Sequence, residues 1–195
     1  MPETPIPSSI NPAAILELFG TVSILKAIPR TGWKKRGVPV GQCESVAEHS
    51  YGVAFLASTL AREYAPHLNN SRIADMALVH DVGERVAGDI TPFDNISPEQ
   101  KKEKELLGLQ KTYEHLQNGK YYLDLWEEFE AGTTPEAQWV RQIDILDRLW
   151  QSRVYNKAGY LRMDEFLKTD PPKIRDPVLK SVLEIILADE TTNKQ

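Results

Sequence analysis

The sequence predicts an all-α protein with one domain of about seven or eight helices. Apolar residues recur at helical spacing in seven segments, and no segment shows the sustained apolar/polar alternation of a strand. The length of 195 residues fits one domain, and 41% hydrophobic residues are enough for a core and too many for a disordered chain.

Capping residues and prolines set the bounds of these helices. Asn11-Pro12 predicts the first helix start, and Ser45 with Glu48 forms a capping box for the second. Residues 29–44 are rich in glycine and proline and predict a loop. The predicted helices cover about residues 12–26, 46–64, 71–87, 98–117, 121–131, 135–150 and 176–187.

The ends of the chain have a different composition from its middle. The first ten residues hold three prolines and two serines, which predict a flexible lead-in over residues 1–11. One folded domain is expected over residues 12–189, and residues 190–195 are expected to form a short tail.

Charge and cysteine content exclude several classes of function. A net charge of −5 without a basic stripe argues against a nucleic-acid polymer as partner. The single cysteine, Cys43, permits no internal disulfide and no thiolate-type zinc site. No apolar run has the length of a membrane span and no signal peptide pattern is visible, so we expect no membrane partner and a cytoplasmic location, with nuclear presence left open.

Histidines and carboxylates predict a metal-dependent reaction. His80-Asp81 lies in an apolar segment with Glu84 three and four positions on, a spacing that places these groups on one helical face. His49 begins another helix, and Asp144 lies in an apolar stretch, where a carboxylate is costly unless it is paired or bound to a metal.

Two imidazoles and two carboxylates suit a divalent ion such as Co, Mn, Fe or Zn. Such an ion binds a phosphate oxygen and activates water, which a nearby carboxylate such as Glu84 can deprotonate. Asp89 is a candidate for protonating the leaving oxygen or holding a partner, and Thr91 for donating to phosphate or capping a turn. Simpler interpretations remain open: Glu84 at a solvated helix end, or Asp144 paired with a neighbouring arginine.

The chain resembles the HD-domain metal-dependent phosphohydrolases, whose signature is His … His-Asp … Asp on an all-α chain. More closely, it resembles the 5′-deoxynucleotidases of the HD-domain-containing protein 2 and YfbR type. The resemblance covers about residues 14–158. The stretches that carry it are Pro29-Arg30-Thr31-Gly32-Trp33, Glu44-Ser45-Val46-Ala47-Glu48-His49-Ser50, Leu78-Val79-His80-Asp81-Val82-Gly83-Glu84, Gly88-Asp89-Ile90-Thr91-Pro92 and Arg141-Gln142-Ile143-Asp144.

This resemblance implies an HD-domain bundle that hydrolyses 2′-deoxyribonucleoside 5′-monophosphates and assembles as a homodimer. For the loop before His49, the resemblance implies an arginine and a tryptophan that favour deoxyribose over ribose. The candidates here are Arg30 and Trp33, with Arg36 as an alternative to Arg30. Trp33 lies in a glycine-rich loop, so its side chain is not expected to pack in the helical core. The other implied roles are metal binding for His49, His80, Asp81 and Asp144, water activation for Glu84 and an active-site acid for Asp89.

Two alternatives differ in their chemistry. An HD phosphohydrolase can act on a cyclic nucleotide, a triphosphate or a pyrophosphate, although few basic residues are available for larger phosphates. A helical binding module without catalysis is the other alternative, and the complete ligand set argues against it.

Overall fold

The computed structural model of the chain describes residues 10–91, 94–160 and 164–188, where every regular element is a helix. This confirms the all-α class. Nearly all of the predicted lead-in and the whole tail lie outside the described residues, so the domain boundaries stay predictions. No helix in the described part is both long and apolar enough to cross a membrane.

Ten α-helices occur in the described ranges, and seven of them correspond to the seven segments that the sequence predicts. The other three are short: one lies in the loop before His49, one follows His80-Asp81, and one precedes the last helix. The described residues also contain 3-10 turns at Val40–Gln42 and Pro171–Lys173. The helices are α1 Pro12–Ala27, α2 Thr31–Lys34, α3 Val46–Tyr64, α4 Asn70–Val79, α5 Glu84–Ala87, α6 Pro98–Tyr113, α7 Gly119–Ala131, α8 Pro135–Lys157, α9 Asp164–Thr169 and α10 Pro177–Ala188.

The predicted starts of α1, α3 and α6 are confirmed by capping contacts, whereas α4 and α7 begin one and two residues earlier than predicted. The Asn11 side chain accepts hydrogen bonds from the first turn of α1, and Ser45 with Glu48 closes a capping box at α3. Ser97 closes another with Gln100 at α6. These caps satisfy backbone N–H groups that have no partner inside a helix.

Helix ends deviate more from the predictions. Helix α6 stops at Tyr113 instead of continuing to Gln117, because two tight turns follow, with N–H groups bonded three residues back. Helix α8 continues to Lys157, since Ser152 and Tyr155 in its last turns are buried.

Two apolar clusters hold the bundle together. The larger lies between α3, α4 and α8 and also takes side chains from α7 and α10, with Val53, Met76 and Ile143 almost fully buried. The smaller joins α1, α6 and α7 to the start of α3 around Val46 and Trp126. The first cluster fixes the three helices that carry or immediately precede His49, His80 and Asp144.

The prediction of one continuous helix over residues 71–87 is wrong. Helix α4 ends at Val79, and the N–H groups of Val82, Glu84 and Arg85 bond to carbonyls three residues back, at 3.0 to 3.2 Å. This tighter winding means that the 3.6-residue spacing does not describe the His80–Glu84 segment. The three side chains still face one cavity, for a reason that lies outside the segment.

That reason is the close approach of the turn to α6. A Cβ on Gly83 would lie 2.5 Å from the Glu105 carbonyl oxygen, and one on Gly108 would lie 2.3 Å from the Gly83 carbonyl oxygen. Both positions therefore require glycine, and the contact presses the backbone beside Glu84 against α6.

Gly108→Ala is expected to destabilise the protein by about 1–3 kcal/mol, because the new methyl group must push α6 away from the turn. Urea unfolding of the metal-free protein measures this change. Gly20→Ala is the matched control: Gly20 is also a helix residue, but its added Cβ meets nothing within 4 Å. A Gly108→Ala variant as stable as the wild type would contradict the packing described here.

Candidate active site

A cavity of about 700 Å³ opens between the loop before His49, the turn after α4, and helices α6, α8 and α9. Eight of the nine residues that the sequence singles out as site residues line this cavity. The ninth, His49, contacts two of the eight, Asp81 and Asp144. The eight are Arg30, Trp33, His80, Asp81, Glu84, Asp89, Thr91 and Asp144.

His49, His80 and Asp81 form a compact cluster whose potential ligand atoms all lie within 4.8 Å of one another. His80 Nε2 is 3.3 Å from Asp81 Oδ2, and His49 Nε2 is 3.8 Å from the same oxygen. Asp144 joins the cluster through its Oδ1, which lies 3.2 Å from His49 Nε2. Residues far apart in sequence thus meet as the proposed ligand set requires.

Both imidazole rings are held through the nitrogen that faces away from the cluster. His80 Nδ1 lies 2.7 Å from the Ala77 carbonyl oxygen, and His49 Nδ1 lies 2.7 Å from Asp147 Oδ2. When the rings are neutral, Nδ1–H donation to these oxygens leaves each Nε2 with a free electron pair toward the cluster. Both Nε2 atoms are buried and make no hydrogen bond of good geometry within the described residues, an arrangement typical of metal-binding histidines.

The charges at this centre favour a cation. Burial and Arg30 lower the pKa of His49, but Asp144 and Asp147 outweigh them and raise it to about 9. Burial raises the pKa of Asp144, yet Arg148 and His49 hold it well below its usual range. The carboxylates therefore favour a positive charge at this centre, which a protonated His49 ring supplies in the metal-free protein. A divalent metal ion bound to neutral histidines would supply the positive charge instead.

Asp147 is a partner of His49 that the sequence alone does not reveal. It lies one helical turn after Asp144 on α8 and orients the His49 ring. Gly52 on α3 makes room for it, because a Cβ there would lie 2.7 Å from Asp147 Oδ1. The spacing of three residues from Asp144 is the one signal for it, and that spacing is too common to identify it.

The loop before His49 carries Arg30 into the site. An antiparallel bridge between Pro29 and Ser45 ties the loop to the start of α3. Arg30 Nη1 lies 3.1 Å from Asp81 Oδ2 and 3.7 Å from Asp89 Oδ1. Asp89 also accepts a hydrogen bond from the Thr31 backbone N–H, so it links the loop to the segment after α5.

The expectation that Trp33 lies outside a core is wrong. Trp33 is 2% exposed and packs edge-on against Tyr155 and Phe166 in a third apolar cluster. Its indole N–H donates to Glu44 at 2.7 Å. The sequence hides this cluster because Tyr155 and Phe166 lie more than 120 residues further along the chain. Trp33 still contributes to the cavity wall.

Two further candidates have defined surroundings. Glu84 is 2% exposed, and burial followed by Asp81 raises its pKa well above the usual value, so it does not form a solvated helix end. The Thr91 hydroxyl donates to Asp94 at 2.7 Å and thereby supports a turn. Pro92 of the same stretch lies outside the described residues.

Asp147→Asn is expected to weaken Mn²⁺ or Co²⁺ binding about 10–100-fold, because the ring of His49 loses its charged partner. Calorimetric titration of the metal-free protein measures the dissociation constant. Asp124→Asn, which changes an exposed aspartate on α7, is the matched control. Equal metal affinity in the wild type and Asp147→Asn would show that His49 does not depend on this contact.

Comparison with known proteins identifies the family. The family model described as "HD domain" matches residues 22–180. The bovine 5′-deoxynucleotidase HDDC2 is 33% identical over 185 residues, which are 92% of this chain and 87% of that protein. The human protein of the same name is 32% identical over 186 residues, 92% of this chain and 88% of its own.

Solved structures agree with this result. A conserved hypothetical protein from Pyrococcus furiosus is 30% identical with a TM-score of 0.73, covering 89% of this chain and 99% of its own. An HD-domain phosphohydrolase from Listeria innocua has a TM-score of 0.68 over 92% of this chain and 90% of its own, but at 24% identity it supports the fold alone. On these matches and on the cluster of His49, His80, Asp81 and Asp144, the chain belongs to the HD-domain family.

Proposed function

We propose that this protein is a metal-dependent 5′-deoxynucleotidase, which hydrolyses 2′-deoxyribonucleoside 5′-monophosphates to deoxynucleoside and phosphate. The observation that carries the proposal is the match, over about nine-tenths of the chain, to relatives named 5′-deoxynucleotidase. The buried Nε2 atoms of His49 and His80 also support it, because they make no hydrogen bond of good geometry within the described residues and lie next to a cavity large enough for a mononucleotide.

In this proposal His49, His80, Asp81 and Asp144 hold one divalent ion, with Co, Mn, Fe and Zn as candidates. When bound, the ion polarises a phosphate oxygen and lowers the pKa of water. The protein orients the ligands: Asp147 and the Ala77 carbonyl fix the two imidazole rings.

Glu84 takes the proton of the attacking water. Its carboxylate is buried, and the raised pKa gives it more basicity near neutral pH than an exposed carboxylate has. Oε2 of Glu84 has no hydrogen-bond partner in the described residues and is free to accept from a water molecule. The turn pressed against α6 keeps this side chain beside Asp81.

Asp89 holds Arg30, and the contacts to Thr31 and Arg30 support this role over that of proton donor. The Arg30 guanidinium binds a phosphate oxygen, since its planar group pairs well with oxyanions. Trp33 limits the space at the sugar, so that a 2′-hydroxyl fits poorly. Thr91 is a further candidate at the phosphate, provided its hydroxyl leaves Asp94.

We also propose that the protein forms a homodimer, which light scattering tests directly.

The purified protein is expected to release phosphate from dAMP with Mn²⁺ or Co²⁺, and to release none after chelation. Asp81→Ala should reduce turnover below detection, because a ligand of the ion is lost. Phosphate release from AMP, cyclic AMP and dGTP, assayed in parallel, distinguishes the alternatives among HD phosphohydrolases. No hydrolysis of dAMP with any divalent metal would refute the proposal, and activity that survives Asp81→Ala would refute the ligand assignment.

Trp33→Phe is expected to lower the ratio of kcat/KM for dAMP over AMP by about tenfold, because the smaller ring leaves room for a 2′-hydroxyl. Phenylalanine is preferred to alanine, since Trp33 is a core residue whose removal would leave a cavity. Trp139→Phe is the control, because Trp139 is equally buried and donates its indole N–H to the Ala57 carbonyl, away from the cavity. An unchanged ratio in Trp33→Phe would place sugar selectivity elsewhere.

A further inference from the structure

The cavity needs positive charge to receive a phosphate dianion. Among its described lining residues, acidic side chains outnumber basic ones. Every lining cation has a partner, and most are tightly held. Arg30, Arg36, Arg148 and Lys173 each have a carboxylate within 3.1 Å, and Arg141 donates to two backbone carbonyls of α7.

Lys101 on α6 is held less firmly. Its one ion pair in the described part of the chain is with Glu105, at 3.3 Å. Burial raises the pKa of Glu105 to about 7, so this partner carries only part of its negative charge near neutral pH. The Lys101 ammonium therefore forms a weak pair and is available to a stronger anion.

Lys101 nevertheless lies in the field of the active site. Burial lowers its pKa, but Glu105, Asp81 and Glu84 outweigh burial and leave the pKa raised. Arg30 is influenced by the same two residues, Asp81 and Glu84, from the loop before His49. Lys101 and Arg30 come from separate elements, but both line the cavity and both interact electrostatically with Asp81 and Glu84.

The backbone fixes where this lysine emerges. Glu105 is packed against Gly83, and Lys101 lies one helical turn before Glu105. The aliphatic part of the Lys101 side chain therefore begins near the turn that carries Glu84. A lysine ammonium on a flexible four-carbon stem can move from a weak partner to an incoming oxyanion.

We propose that Lys101 is a further substrate-binding residue, which leaves Glu105 and contacts the phosphate group of the nucleotide together with Arg30. This rests on the proposed function, because that function supplies the phosphate group. The contact offsets the repulsion between the phosphate and the carboxylates of Asp81 and Glu84.

Binding of inorganic phosphate to the Mn²⁺-loaded protein, measured by calorimetry, tests this role separately from catalysis. Lys101→Met is expected to weaken phosphate binding about tenfold, and Lys101→Arg to retain most of it. Lys104→Met removes a lysine from the exposed side of the same helix and is expected to bind phosphate as the wild type does. Circular dichroism verifies folding, and Lys101→Gln replaces any Lys101→Met protein that does not fold.

Steady-state kinetics with dAMP separate the two proposals. If the wild type hydrolyses dAMP and Lys101→Met binds phosphate within twofold of it, the role of Lys101 is refuted while the proposed function stands. A lower kcat with unchanged phosphate affinity also refutes it, since that result indicates a positioning role. If the wild type does not hydrolyse dAMP but phosphate binding still depends on Lys101, the proposed function alone fails. A wild type that binds no phosphate refutes the Lys101 role as well.

Discussion

The two buried Nε2 atoms of His49 and His80 impose the constraint on which the rest of the site depends. Each ring is fixed through Nδ1, so each Nε2 must face the carboxylates of Asp81 and Asp144. Buried polar atoms without partners and crowded carboxylates are costly unless a cation satisfies both. The apolar packing between α3, α4 and α8 fixes the helices that carry or precede these side chains.

A second constraint links the metal cluster to the remaining machinery. The tightly wound turn after α4 lies against α6 through Gly83 and Gly108, which brings Glu84 and the Lys101–Glu105 pair to one wall of the cavity. The bridge between Pro29 and Ser45 does the same for Arg30 on another wall. The groups proposed to act on water and on phosphate thus come from elements that are each fixed by backbone contacts.

Local chemistry explains what could be predicted from the sequence. Capping boxes at Ser45 and Ser97 act within a few residues, so the sequence predicts the starts of α3 and α6 correctly. The His80-Asp81 pair and the resemblance to the HD-domain phosphohydrolases pointed to groups that the structure brings together. Features that depend on distant packing were missed: the split at His80, which follows from contact with α6, and the burial of Trp33 under Tyr155 and Phe166. Asp147 was missed because its role depends on a ring from another helix.

The central claim is that His49, His80, Asp81 and Asp144 together hold a divalent ion. Anomalous diffraction from crystals of the Mn²⁺-loaded protein, collected above the manganese edge, tests it most directly. An anomalous peak is expected between the two histidine Nε2 atoms and the carboxylates of Asp81 and Asp144. A fully loaded crystal with no peak among these four side chains would contradict it.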